Sequence, residues 1–279
     1  MFQVKPMRAG DFQFATELAN TMDWNMAIED FQFMTNLEPE GCFVAFYGGE
    51  RVGISTSISF GEVGWFGNLI VKEKLRNIGV GSLLVNHAVN YLKSRGVRTI
   101  GLYAYPNLTR FYSNLGFRLD EDFSVLHAET LGSLTSEALP SVKKQQTKAI
   151  EEFDSRCFGG DRKKLLESII LEEGNLSYFK SEGNQVEGYV AATVYKEMAW
   201  VGPLICRESR VDVAVMLLKA VLANLTGKSV YTVLPEKENS LADMFFSAGL
   251  KKDFSVSRMF LGQAVAKNCV YVAESLERG

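Results

Sequence analysis

The chain predicts an α/β (α+β) fold made of two similar units, each a mixed, mostly antiparallel sheet flanked by helices. Three observations carry this. Strand-like and helix-like runs alternate along the first half. A hydrophobic run, Val63–Val71, passes through a polar loop into a glycine pair, Gly79 and Gly81, that opens an amphipathic helix. The same order of parts returns in the second half, and repetition on this scale means two related domains rather than a solenoid.

Element by element, Phe2–Met7 reads as a short strand, and Asp11–Met22 and Ile28–Asn36 as helices opening near acidic residues. Cys42–Tyr47 and Val52–Phe60 flank the turn Gly48-Gly49-Glu50-Arg51, a hairpin signal. From Gly81 to Arg95, Leu84, Ala88, Tyr91 and Leu92 share one helical face. Lys93 and Arg95 suit the negative end of that helix, and Gly96 suits its left-handed cap. Thr99–Tyr105 is a strand, Leu108–Leu115 a short helix stopped by Gly116, and Ser124–Glu129 the last strand of the unit. Gly132–Gln146 is polar and reads as linker, so the boundaries fall at 1–132, 133–146 and 147–279. The second unit repeats a hairpin (Asn175–Ser181, Gly188–Tyr195), a strand (Trp200–Cys206), a helix (Val211–Leu225), a strand (Ser229–Leu234) and a helix (Asn239–Ala248).

Composition excludes several functions. Of 279 residues, 47% are hydrophobic and 23% charged, with a net charge of -3, so no concentrated basic face for nucleic acid is expected. Lys143, Lys144 and Lys148 read as solvated charge at the linker. The four cysteines form no C-x-x-C pair and there are two histidines, which argues against a metal site. His87, beside Asn86 and Asn90, reads as a surface residue. No signal peptide or apolar run of transmembrane length is visible, and a soluble, cytoplasmic setting is the expectation.

The segment Leu69–Gly81 carries the chemistry. The first N–H groups of a helix lack internal partners and point outward, and the helix dipole adds partial positive charge. Glycines let a phosphate approach the backbone, and Arg76 can add charge-assisted bonds. A P-loop would need Lys after the last glycine, where Ser82 stands. A dinucleotide fingerprint would need a third glycine, where Leu84 stands, and an acidic residue after the next strand.

Arg76, Gly79 and Gly81 fill the pattern [QR]-x-x-G-x-[GA]. At the right distance follow a strand and a short helix, Phe111-Tyr112-Ser113-Asn114-Leu115-Gly116-Phe117. In both features the chain resembles the GNAT superfamily of N-acetyltransferases, well over residues 1–130 and weakly over 140–262, in the manner of a tandem-GNAT subgroup. The resemblance implies a sheet splayed between its fourth and fifth strands, with acetyl-CoA in the gap. It implies pantetheine contacts along Leu69, Ile70 and Val71, a pyrophosphate over Arg76, Asn77, Ile78, Gly79, Val80, Gly81 and Ser82, and Tyr112 as the acid that protonates the departing thiolate. A backbone N–H near Val71 would polarise the acyl carbonyl.

The chain also departs from the pattern. The family Asn seven residues before the tyrosine is replaced by Tyr105, and Asn107 is a candidate for its role. The fourth strand has Gly67-Asn68 where a Glu base is common, so the base is left open. In the second unit, Arg207–Asp212 has no glycine and carries two acidic residues, and Phe246 replaces the tyrosine. That unit is expected to shape the acceptor pocket instead. Asp161, in the run Phe158-Gly159-Gly160-Asp161-Arg162, is either an amine ligand or a helix cap, and Trp24-Asn25 either line the cleft or fill core. The implied activity is acetyl transfer to a primary amine of a small molecule or peptide, by a monomer or homodimer. The alternatives are an acyl-CoA-binding sensor that does not catalyse and, further off, a generic nucleotide-binding protein.

Overall fold

The computed structural model describes residues 1–279. The first half contains β1 (Phe2–Pro6), α1 (Phe12–Asn20), α2 (Ile28–Leu37), β2 (Cys42–Tyr47), β3 (Glu50–Phe60), β4 (Val63–Val71), α3 (Val80–Ser94), β5 (Thr99–Ala104), α4 (Thr109–Ser113) and β6 (Arg118–Ala128). The second half contains α5 (Lys144–Phe158), α6 (Lys163–Ile170), β7 (Leu176–Glu182), β8 (Gln185–Val194), β9 (Met198–Arg207), α7 (Val211–Ala223), β10 (Ser229–Pro235), α8 (Asn239–Ser247), β11 (Lys251–Leu261) and β12 (Cys269–Val272). From α5 to β11 the second half repeats the order of α1 to β6, and an isolated bridge between Ser141 and Tyr178 stands where β1 pairs with β2. Helices α5 and α6 and strands β11 and β12 have no counterpart in the sequence reading. The first turn of α5 takes up Lys144–Gln146, the end of the expected linker.

Helix α3 shows why local sequence suffices in places. Val80, Leu84, Val85, Ala88, Val89 and Leu92 are buried on one face. At roughly 1.5–3 kcal/mol for each of the larger side chains, this outweighs the few tenths to about 1 kcal/mol of helix propensity lost at each of Gly81, Asn86 and Asn90.

All strands join in one 12-stranded sheet, ordered β1-β2-β3-β4-β5-β11-β6-β10-β9-β8-β7, with β12 beside β9. The halves exchange strands at the centre. Strand β11 inserts between β5 and β6, pairing Ser257 with Ala104 and Asp122. Strand β6 in turn pairs with β10 from Val230↔Ala128 to Pro235↔Phe123. Arg258 of β11 ties the exchange by bonding Asp120 at 2.8 Å across β6, with its guanidinium 4.8 Å from the Phe123 ring.

One face of the sheet carries a single apolar cluster shared by α1, α2, α5 and α6, running from Ala15 and Phe31 through Trp65 and Phe123 to Ile150, Leu165 and Tyr271. The opposite face carries two clusters, one under α3 and α4 and one under α7 and α8. The shared core and the exchanged strands make the halves one packed body. No helix is long and apolar enough to cross a membrane.

Candidate active site

Strands β4 and β5 are parallel neighbours for only three residue pairs, Val63↔Thr99 to Trp65↔Gly101. Past Trp65 they part. Between Ile54↔Ile70 and Thr56↔Gly67 the β3–β4 register slips, so β4 carries one extra residue. Asn68 stands in the slip with φ 49°, and its amide donates to Thr56 Oγ1 at 3.2 Å. A bulge bends the strand that bears it, and here it turns Leu69, Ile70 and Val71 away from β5. Strand β5 turns its far edge to β11 instead. A gap opens between β4 and β5, with backbone groups along its β4 side.

At the end of this gap lies the loop Arg76–Gly79. Asn77 (φ 63°) and Gly79 (φ 93°) are both left-handed, Arg76 before them is extended and Val80 after them opens the helix. A left-handed residue leading into a right-handed one turns adjacent N–H groups toward one side, a shape suited to an anion. No N–H from Asn77 through Ser82 donates to an acceptor within the protein; bonding resumes at Leu83, which donates to the Gly79 carbonyl at 3.0 Å. These six consecutive donors have no partner within the protein and lie at the N-terminus of a 15-residue helix, with Val80 itself buried. Arg76 folds back so that its Nε donates to the Val71 carbonyl at 3.0 Å.

Tyr112 lies under this loop, on the α3/α4 face. Phe111 beside it packs against the first turn of α3, where a Cβ at Gly81 would stand 3.4 Å from its ring. Tyr112 is 6% exposed and sits among the rings of Phe66, Phe111 and Phe117, at 6.4, 5.0 and 5.9 Å. Burial pushes its hydroxyl above the usual phenol range, so it holds its proton across the physiological range. Asn107 is exposed in the turn between β5 and α4.

On the opposite face, Trp24 donates its indole N–H to the Tyr105 oxygen at 3.1 Å, where β5 ends. Asn25 beside it is exposed and left-handed, with φ 50°. Asp161 does not join this group. Its N–H donates to the Phe60 carbonyl at 2.8 Å, at the end of β3 that pairs with the start of β4, whereas the Arg76–Gly79 loop follows the end of β4. Its carboxylate accepts from the Lys163 N–H at 3.0 Å, capping α6, and it lines a charged cavity of about 340 Å³ with Glu38, Arg95 and Lys164. The buried charge of that motif is Arg162. It bonds Asp154 through two nitrogens at 2.6 and 3.1 Å, with both side chains fully buried.

The second half has the same gap but fills it. The register slip recurs between Val190↔Leu204 and Ala192↔Val201, and β9 and β10 pair only as far as Val201↔Thr232. Beyond that point β12 pairs with Leu204–Arg207 of β9, and the Ala273 N–H donates to the Val233 carbonyl of β10 at 2.9 Å. The following loop is bound up in ion pairs, Arg210 with Asp212 at 3.1 Å and with Glu187 at 3.2 Å. That loop has no glycine and carries Glu208 and Asp212, which would repel an anion. Sequence spacing carries no signal for β12, because its partner strand is remote in the chain.

Comparison with known proteins agrees with this architecture. Residues 12–117 match a model described as acetyltransferase (GNAT) family, and residues 150–271 match one described as acetyltransferase (GNAT) domain. Relatives include an uncharacterized N-acetyltransferase, YitH, of Bacillus subtilis (strain 168), 24% identical over 70% of this chain and 68% of that one. A holothin acyltransferase of a Pseudoalteromonas species is 23% identical over 99% of this chain and 94% of that one. The fold is shared with a putative acetyltransferase from Pyrococcus horikoshii, at TM-score 0.80 and 20% identity over 100% of this chain and 96% of that chain. With a matching model in each half, a bulged and parted β4 in the first and a filled gap in the second, the chain belongs to the GNAT acetyltransferase family as a tandem of two such domains.

Proposed function

We propose that this chain is an N-acetyltransferase that moves the acetyl group of acetyl-CoA to a primary amine, with a single acetyl-CoA site, in the first half. The observation that carries this reading is the run of six unpaired N–H groups from Asn77 to Ser82 at the mouth of the β4–β5 gap. Such a run fits a pyrophosphate, because each donor gains a charge-assisted bond without giving up a bond inside the protein.

In this reading Asn77, Ile78, Gly79, Val80, Gly81 and Ser82 hold the diphosphate and Arg76 adds charge. Backbone groups of Leu69, Ile70 and Val71, turned from β5 by the bulge, pair with the pantetheine arm. Tyr112 holds a proton next to the departing sulfur. A thiol such as cysteine has a pKa near 8.5 in water, below a phenol's, so transfer from Tyr112 is uphill. Burial destabilises thiolate and phenolate alike, so the transfer is drawn forward by the amine, whose proton, released on attack, restores the phenol. The N-acetyltransferase and acyltransferase names of the two relatives agree with this chemistry.

The test is acetyl-CoA binding by calorimetry for the wild type and Gly81→Glu, with folding checked by circular dichroism. Gly81 lies in α3 with room for a Cβ, so the variant places a negative charge at the pyrophosphate position with little strain. Micromolar binding abolished by the substitution supports the reading. A wild type that does not bind acetyl-CoA overturns it.

A further inference from the structure

We infer that the amine acceptor has a planar aromatic body and lies on a shelf of aromatic side chains contributed by both halves of the chain. This rests on the acetyltransferase reading above and names the acceptor class it leaves open.

The shelf begins with the loop 21–27, which spans the mouth of the gap. On the β4 side, Met22 Sδ lies 3.6 Å from Arg76 Nη2. On the β5 side, Trp24 bonds Tyr105 at 3.1 Å. The loop is closed by Asn20, whose side chain donates to the Met26 carbonyl at 3.0 Å and accepts from its N–H at 2.8 Å. Asp23 and Asn25, at φ 57° and 50°, are residue types that tolerate the left-handed region. Trp24 is thus fixed by covalent geometry on both sides and by a hydrogen bond at its tip.

Next to Tyr105 stands Phe254, with ring centroids 5.5 Å apart. Phe254 comes from β11, so the second half supplies it through the strand exchange. Farther along the same end of the sheet, His127 stacks on Tyr231 at 4.0 Å, and Tyr231 on Trp200 at 5.9 Å, both pairs 9° from parallel. Alternation along a strand puts every second side chain on one face. His127 therefore shares a face with Phe123 and Val125, and Tyr231 with Val233, the face to which Trp24, Tyr105, Phe254 and Trp200 also belong.

These six rings differ from core aromatics of the same face. Trp65 and Phe158 are fully buried, whereas all six keep partial exposure. The helices of this face pack chiefly over β3, β4, β8 and β9. Over the central strands Phe123, Val125, Val233 and Val256 are buried, so the shelf is confined to the six part-exposed rings toward one end of the sheet. Ring faces attract an offset or edge-on aromatic partner. An apolar shelf also lowers the pKa of a bound amine by desolvation, which favours the neutral form needed for attack. The middle of β4 itself, Gly67 and Asn68, carries no carboxylate, although Glu277 of the C-terminal segment packs on Gly67.

The experiment compares 2-phenylethylamine, 2-cyclohexylethylamine and spermidine as acceptors for the whole chain with acetyl-CoA. Saturation-transfer NMR of the same three amines runs alongside, without acetyl-CoA. The shelf predicts a kcat/KM about two- to ten-fold higher for the phenyl than for the cyclohexyl compound, and strong NMR transfer to the phenyl protons. Phe254→Leu and Trp24→Leu should each erase the preference and the NMR signal while acetyl-CoA affinity and melting temperature hold. Equal use of the two ring compounds, or a preference for spermidine, overturns the aromatic shelf and leaves the acetyltransferase reading intact. A protein without acetyl-CoA binding overturns the acetyltransferase reading. The NMR comparison still decides the shelf in that case: transfer that is equal in wild type and Phe254→Leu overturns it.

Discussion

Arg76 donates from Nε to the carbonyl of Val71 at 3.0 Å, so the cation of the proposed pyrophosphate loop is braced on the last residue of the strand that leaves the sheet. The loop and the gap are positioned by one contact. Two effects are separable at this residue. Arg76→Ala removes both the brace and the charge, and charge-assisted bonds are each worth about 1.5–3 kcal/mol. Acetyl-CoA affinity measured by calorimetry should fall about ten- to a hundred-fold. Arg76→Lys keeps the charge without the fork and should fall between, and raising the salt should narrow the difference from wild type.

Tyr112→Phe should leave acetyl-CoA affinity and melting temperature nearly unchanged, because burial is the sole cause of the hydroxyl's raised pKa and no partner is orphaned by removing it. Turnover should drop about a hundred-fold or more if the residue supplies the proton. The pH profile follows from the sign of the shift. A phenol whose pKa is raised on folding contributes stability that is complete below about pH 10, its unfolded value, and is lost as the pH rises beyond it. The wild-type rate should therefore climb with pH as the amine loses its proton, without a falling limb from Tyr112 before pH 10. The Tyr112 part of the melting temperature is lost only above that point, whereas the buried Cys42 and Cys206 thiols, also pushed up by burial, begin to cost stability from about pH 8.5.

Because β12 occupies the gap beside β9, calorimetric titration should give one acetyl-CoA per chain. A stoichiometry of two would mean that the segment gives way to cofactor. Placing the same charge in the second half, as Val211→Glu, should leave acetyl-CoA affinity unchanged, in contrast to Gly81→Glu.

The Arg162–Asp154 pair is fully buried and holds α5 and α6 together. Removing one partner of such a pair costs about 3–5 kcal/mol, because the other charge is left uncompensated. Arg162→Met should lower the melting temperature by roughly 10 °C. Adding Asp154→Leu should recover part of the loss, since two apolar side chains leave no orphaned charge. Asp161→Ala removes one exposed bond to the first N–H of α6 and should cost about 0.5–1 kcal/mol, with no effect on acceptor KM.

Much of the first half was legible from residue order. The run Cys42–Tyr47, the strand Val63–Val71 and the helix behind Gly79 appear where periodicity and glycine spacing put them, because their stability comes from neighbours in sequence and one apolar face. The Arg76–Ser82 loop was readable for the same reason: a helix start and its dipole are local properties. The second half was less legible. Strands β11 and β12 went unread because their partners are remote in the chain, β5 and β6 more than a hundred residues before β11 and β9 more than sixty before β12, and α5 because its polar first turn resembles the linker before it. Asp161 shows the limit of motif reading. Its neighbour Arg162 carries the buried charge, and only packing against Asp154 and Phe158 decides that.

The residue order by itself determined the family, the repeat of two related units and the glycine-led helix start behind Arg76. Tertiary structure alone decided three things: that the halves share one sheet by exchanging β6 and β11, that the second gap is closed by β12, and that Trp24 and Tyr105 meet Phe254 at the mouth of the first. The reason is physical. Local hydrogen bonding and apolar spacing act over a few residues, whereas strand partners and shared cores are chosen by burial between segments that meet only when the chain has folded.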